Sequence, residues 1–350
     1  MHQQQLYRLP RELGGLQRHK LPQARYLQMA KFFLLALLVA TLQTATAQVE
    51  NPDTYPKRPI HLVVPFPAGG AADIVARVIA KPLAQAMGQP VVVDNKPGAD
   101  GAIAAEAVAK SAPDGYTLFM ATYGAMSAVP AMRKQLPYDV ARDFTPVTST
   151  GKFSFFLFAH PSVQANTLAE LISYVHRHPG ELNYGTGNTG AIVATAELAT
   201  AANLAMNHIP YKGEVPAMND FLAGRVQLMF ATPANALPWV KEGKLKALVT
   251  LQDQRSALLP TVPTMAESGM KNLSIVTWSG IFGPAKLPAT ITQRLNLEIN
   301  AILKQPEVSA EFTKQGFEAH GSTPTEFDAY VKEQLGVWNR AIHLAGLEPQ

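Results

Sequence analysis

From Tyr55 onward, short β-branched runs alternate with longer stretches in which apolar residues recur at helical spacing. Residues 60–64 predict a strand, 71–87 a helix and 90–94 a second strand. A helix near 102–110, the turn Pro113-Asp114-Gly115 and a strand over 116–121 complete a first series. A second series begins near 153, with a strand over 153–159, a helix over 168–176, a strand over 182–185 and an alanine-rich helix over 191–204. Strands over 207–210, 226–230 and 245–250 follow. Residues 275–282 then return the chain to the first series, before helices near 288–303 and 324–344. This alternation predicts an α/β protein with mixed, mostly parallel sheets flanked by helices. No repeat or low-complexity linker separates the series, so two lobes joined by strands or short crossovers are expected. One lobe takes in 55–152 plus 276–350, and the other 153–275.

The segment before Tyr55 has a different pattern. Lys31 precedes the apolar run FFLLALLVATL, and Ala45-Thr46-Ala47 precedes Gln48. A basic start, a short apolar stretch and small residues at the end predict a secretory signal cleaved after about Ala47, hence a periplasmic protein. The run falls well short of the ~20 residues that span a bilayer. Met29 begins a signal of ordinary proportions, and the predicted translation start is there instead of at Met1.

The leader changes the meaning of the charge. The 350 residues carry 30 Lys/Arg and 26 Asp/Glu; removing residues 1–47 takes away six and one of these, leaving 24 and 25 and a formal charge of −1. The basic excess therefore belongs to the leader and gives no reason to expect a nucleic-acid partner. With 47% hydrophobic residues the chain can bury a large core, and with no cysteine it has no disulfide, thiolate metal site or thiol nucleophile.

Two glycine clusters carry the candidate chemistry. In VVPFPAGGAADIVAR, Phe66, Ala68, Gly69, Gly70 and Ala71 lie between a strand and a helix start, where free backbone N–H groups and the helix dipole suit an anion. Phosphate, a dinucleotide and a carboxylate are all compatible with such a loop. The Lys-Ser/Thr of a phosphate-cradling P-loop is missing. Asp73 is placed to accept backbone N–H bonds at the helix start. The second cluster, Gly187, Asn188, Thr189 and Gly190 within GTGNTG, has the G-x-G-x-x-G spacing, but no acid ends the next strand to hold a ribose. It reads as a second helix N-terminus open to an anion or polar ligand.

Other features are weaker. His176 and His178 are two apart on a helix and point to different faces, so no metal site is expected. No nucleophile elbow or zinc-protease helix is present, and no catalytic residue or cofactor is assigned. Lys152 falls between the two series, either pairing with a ligand carboxylate or standing exposed at a hinge.

The chain resembles the extracytoplasmic solute receptors of the tripartite tricarboxylate transporter system, the Bug family. The likeness is carried by YPKRPIHLVVPFPAGGAADIVAR, GQPVVVDNKPGADGAIAAEAVAKSAPDGYTL, LPYDVARDFTPV, HPSVQANTLAELISYVHRHPGELNYGTG, HIPYKG, ALPWVKEGKLKALV, LPTVPTMAESG and GSTPTEFDAYV, spanning essentially the whole mature chain. The resemblance implies a type II periplasmic binding protein fold whose two lobes close on a small carboxylate. It implies ligand contacts from the loop over 66–71, from the loop after the strand ending at Ala121, including Tyr123 and Gly124, and from the second glycine loop. It also implies a monomer that serves integral-membrane transporter subunits. A sensory receptor for a membrane kinase and an exported α/β enzyme are the alternatives. The chain departs from the family pattern at Val193, where a histidine is common, at Ala231-Thr232, where an acid is common, at Val129-Pro130, where Asn-Pro is usual, and at Lys152, where a small residue is usual. Losing an acid and gaining a base predicts a site that disfavours an amino group.

Overall fold

The computed structural model describes residues 55–270, 275 and 277–348. The expected leader, the Met29 start and the Ala47 cleavage point lie outside them. Along the chain, β1 (Ile60–Val64) leads to α1 (Ala71–Met87), β2 (Val91–Asn95), α2 (Ala102–Ala109) and β3 (Thr117–Thr122). A π-helical turn at Gly124–Ala128 and the short α3 (Val129–Met132) precede β4 (Phe144–Phe153) and β5 (Phe156–Ala159). Then come α4 (Leu168–Arg177), β6 (Asn183–Thr186), α5 (Thr189–Ala202), β7 (Asn207–Pro210), α6 (Glu214–Leu222), β8 (Leu228–Ala231), α7 (Pro233–Lys241) and β9 (Lys246–Thr250). The last elements are β10 (Trp278–Pro284), α8 (Ala289–Leu303), α9 (Pro306–Lys314), β11 (Phe317–Ala319) and α10 (Pro324–Leu344).

The strands form a six-stranded sheet in the order β11-β4-β10-β3-β1-β2 and a five-stranded sheet in the order β7-β6-β8-β5-β9. Both sheets are mixed. Parallel pairing is confined to β1 with β2 and β3, and to β6 with β7 and β8; β10, β11 and β5 run antiparallel to their neighbours. Most strands of each sheet still point the same way, β1 to β4 in the first and β6 to β9 in the second, and the crossings account for the antiparallel pairs. A strand entered straight from the other sheet, as β5 is from β4, takes its direction from the crossing and not from a βαβ unit. For the same reason the single strand expected over 153–159 is two.

The two crossings lie side by side. Thr277 bonds Phe153 through both its backbone C=O, accepting at 2.7 Å, and its hydroxyl, donating at 2.7 Å, while Leu251 N–H donates to Phe155 C=O at 2.8 Å. The passage between sheets is thus a narrow hydrogen-bonded pair of strands.

Apolar faces set the packing. In α1, Val75, Ala76, Ile79, Leu83 and Met87 recur at helical spacing and bury against the first sheet together with Ile291, Leu295 and Ile299 of α8. Burying side chains of this size contributes about 1.5–3 kcal/mol each. A second cluster draws on both sheets, joining Phe119, Tyr123, Trp278, Phe327 and Trp338 to Phe155, Leu157, Val193, Leu198 and Phe230. Helix α10, started by a Thr323/Glu326 capping box, lays Trp338 flat on Tyr123 with ring centres 5.1 Å apart.

Glu197 of α5 is a buried acid, 7% exposed, whose Oε2 has no hydrogen-bond partner. Burial pushes its carboxyl up to about 7. The folded chain therefore holds this proton more tightly than the unfolded chain, and stability is lost as pH rises from the ordinary carboxylate range through about 7. Glu197→Gln lacks that loss. Its stability relative to the parent should rise by up to roughly 3 kcal/mol between acid and mildly alkaline pH in urea unfolding. A difference that stays constant with pH would contradict the assignment.

Candidate functional site

The loop from β1 into α1 ends in Gly70, the N-cap residue, which has no side chain to bond the first turn. Asp73 does not fill that role. Its Oδ2 accepts from Gly69 N–H at 2.9 Å, its Oδ1 from Asn95 Nδ2 at 2.9 Å, and both oxygens from Arg77 Nε at 3.0–3.1 Å. Asn95 Nδ2 also donates to Phe66 C=O at 2.9 Å. Burial pushes the Asp73 carboxyl up, but Arg77, Gly69 and Asn95 together outweigh it and hold the group below its ordinary value. Asp73 braces the loop from behind, and the α1 start keeps no side-chain acceptor for its N–H groups.

The start of α5 is satisfied from within the protein. Asn188 Oδ1 accepts from Ala191 N–H at 2.8 Å and from the Tyr123 hydroxyl at 3.0 Å. Asp100, from the loop before α2, crosses to the second sheet's side and accepts Thr189 N–H on Oδ2 at 2.7 Å. Burial pushes the Asp100 carboxyl up, with Thr189 opposing. Close approach requires two glycines here: a Cβ on Gly190 would fall 2.5 Å from Tyr123 Oη, and one on Gly124 would fall 3.0 Å from Asp100 Oδ1. Tyr123 lies well above its ordinary value, through burial first and then the nearby Asp100 and Glu214 charges, so its phenol remains a hydrogen-bond donor.

A third acid serves α7. Glu214, the first residue of α6, accepts on Oε1 from Thr232 N–H at 2.9 Å, Thr232 Oγ1 at 2.7 Å and Asn235 Nδ2 at 3.2 Å. Burial pushes its carboxyl up and these bonds oppose the shift.

These helix starts converge on a cavity of about 50 Å³. Phe66, Pro67, Gly70, Ala71 and Ala72 line it from the α1 side, with Thr122 and Tyr123 from β3 and the turn after it. Phe153, Gly187, Asn188, Glu214, Val215 and Thr232 complete the wall. No lysine, arginine or histidine lines it. Thr122 is 2% exposed and its Oγ1 has no hydrogen-bond partner. Among the described residues no cluster of three or more His, Asp or Glu side chains is placed to hold a metal ion.

Of the residues singled out in the sequence, Phe66, Gly70, Ala71, Tyr123, Gly187 and Asn188 meet in this cavity. Ala68 and Gly69 are exposed at the loop tip, and Asp73 lies behind it. Gly124, Thr189 and Gly190 form the Asp100–Tyr123 clasp. Ala231 is fully buried in β8 one residue before the cavity, and Val193 is fully buried in the apolar core. Lys152 is exposed at the end of β4, beside a separate groove of about 520 Å³ on the other side of Phe153. Ala72, Thr122, Phe153, Glu214 and Val215 were not singled out. For Glu214 a signal was present, since a glycine followed by an acid opens a helix after HIPYKG.

Asp100→Ala removes the acceptor from Thr189 N–H. A buried hydrogen bond of this kind is worth about 1–3 kcal/mol, so exchange of the Thr189 amide hydrogen should quicken by roughly tenfold to a hundredfold. Unchanged exchange would show that the clasp does not hold the α5 start.

The model of the family described as tripartite tricarboxylate transporter family receptor matches residues 75–347. The protein BugT of Bordetella pertussis is 36% identical over 318 residues, covering 89% of this chain and 97% of BugT. A solved R. palustris structure with adipate superposes with a TM-score of 0.82 at 31% identity, over 85% of this chain and all of the other. The periplasmic binding protein BugD superposes with a TM-score of 0.80 at 32% identity, again over 85% and 100%. With its α/β fold and its convergent helix starts, the chain belongs to the tripartite tricarboxylate transporter receptor family and is a solute-binding receptor, not an enzyme.

Proposed function

We propose that this receptor captures a small carboxylate in the periplasm and presents it to a membrane transporter. The observation that carries the reading is the α1 start: its N–H groups border the cavity with no side-chain cap, as those of α6 after Gly213 also do, whereas Asn188 and Asp100 serve the start of α5. A carboxylate is the acceptor that such a start lacks. The adipate found with the R. palustris relative supports the ligand class.

Capture works by hinge closure. The moving bodies are residues 55–152 with 276–350, and residues 153–275, turning about the paired crossings at Phe153–Phe155 and Leu251–Thr277. A cavity of about 50 Å³ is far below the 300–1,000 Å³ usual for ligand sites, so the lobes part to admit solute. The carboxylate docks on the Ala71 and Ala72 amides, and closure then brings Asp100 and Tyr123 onto α5. Ligand shifts this equilibrium only by its preference for the closed form. The transporter reads that form. Export follows cleavage after about Ala47, and the receptor acts as a monomer.

A thermal-shift series of dicarboxylates, tricarboxylates, aromatic acids and acidic amino acids tests the reading. A true ligand at a hundredfold its Kd adds about 2.7 kcal/mol to apparent stability. Gly70 has φ −75° and ψ 163°, which valine also adopts, and a Cβ there meets Pro67 C=O at 3.3 Å, so Gly70→Val crowds the α1 start at a local cost that a melting curve of the ligand-free variant measures. We expect at least a tenfold loss of affinity, about 1.4 kcal/mol. Unchanged affinity would remove this loop from the site.

A further inference from the structure

Three facts about Glu214 bear on which carboxylates the cavity accepts. It lines the cavity, its Oε1 already takes three donors, and its Oε2 has no hydrogen-bond partner among the described residues. The wall holds no basic side chain that could neutralise it. Asp100, the other acid beside Tyr123, adds negative potential on the same side. Burial holds its carboxyl above the ordinary value although three donated hydrogen bonds and a place in the first turn of α6 oppose the shift, so a cation beside Oε2 is what favours the ionised form. A second carboxylate close to Oε2 would therefore be repelled, while a positively charged donor would be attracted and would satisfy the free oxygen.

The remaining polar groups sort accordingly. The α1 N–H groups and the orphaned Thr122 hydroxyl offer hydrogen bonds to a carboxylate. Tyr123 is not available as a second donor, because its hydroxyl is committed to Asn188. The cavity thus presents the α1 N–H groups and the Thr122 hydroxyl together with the uncommitted Oε2 of Glu214. The tendency to disfavour an amino group, inferred from Ala231 and Lys152, is reversed: Lys152 stands outside the cavity and Glu214 puts an acid within it.

We propose that Glu214 is a specificity-determining residue, selecting carboxylic acids that carry an ammonium group near the bound carboxylate over acids with hydrogen at that carbon. The inference rests on the carboxylate-receptor reading and narrows its ligand class to amino acids. Glu214 supplies the counter-charge through Oε2, while Oε1 stays bonded to Thr232 and Asn235 and so fixes the side chain in place.

The test is calorimetric titration at near-neutral pH with matched acids of three to six carbons bearing hydrogen, hydroxyl or ammonium at C2. The parent chain should bind the ammonium member of its preferred length at least tenfold tighter than the hydrogen member. Glu214→Gln keeps its one carbonyl oxygen as the acceptor for Thr232 and Asn235 and puts an uncharged NH2 group where Oε2 stood. It should lose that tenfold preference while still binding the plain acid. An equal or tighter grip on the plain acid by the parent chain, which needs no variant, would overturn the proposal. So would an ammonium preference that survives in Glu214→Gln. In both cases the receptor reading stands. If none of the acids binds, that reading fails and this inference with it.

Discussion

A helix that begins in a crevice must find acceptors for its first N–H groups, and the centre of this molecule is arranged around that requirement. Helices α1, α5, α6 and α7 all start at the same place, because each follows a strand whose end lies at the same edge of its sheet. Asn188 and Asp100 answer for α5, and Glu214 answers for α7. Asp73, the acid nearest the α1 start, is turned back onto Gly69, Arg77 and Asn95. The starts of α1 and α6 are left without a side-chain acceptor, and the proposed carboxylate site rests on that feature of the hydrogen-bond accounting.

The same accounting links binding to motion. Asp100 and Tyr123 belong to the first sheet's side, while Thr189 and Asn188 belong to the second, so both bonds exist only when the two sides are together. Tyr123 is held for this purpose by the Trp338 ring of α10. Asp100 sits at φ +50°, in the left-handed region that aspartate tolerates better than most residues. Thr122 Oγ1 has no hydrogen-bond partner and the α1 start no side-chain cap, a cost that a carboxylate bound as proposed would remove. Ligand and clasp thus favour the same arrangement.

Much of this was legible in the sequence, and the parts that were not share a cause. The strand at 60–64 and the helix at 71–87 were read with their bounds, since IHLVV and the periodic run after two glycines are local signals. Helices α6, α7 and α9 were passed over: each has nine residues, too few for a clear apolar period, and Pro233 and Pro306 open the first turns of α7 and α9. The antiparallel course of β5 and β10 depends on where the chain crosses between sheets, which no local pattern encodes. At the site, both glycine loops were found, but the tenant of the second was not. Asp100 lies 89 residues from Thr189 in sequence, and nothing in GADG reveals that its carboxylate reaches across to GTGNTG. Lys152 stands exposed, one of the two readings its place between the series left open, because that place says nothing about the direction a side chain takes from its strand.

Amide NMR of the 15N-labelled chain during titration with a stabilising carboxylate tests the central claim most directly. If the carboxylate is bound by the vacant helix start, the largest shifts fall on Gly70, Ala71 and Ala72, and the Thr189 amide, already engaged by Asp100, changes less. Shifts centred on Gly187 to Gly190, or on the groove beside Lys152, with the α1 start unmoved, would contradict the account.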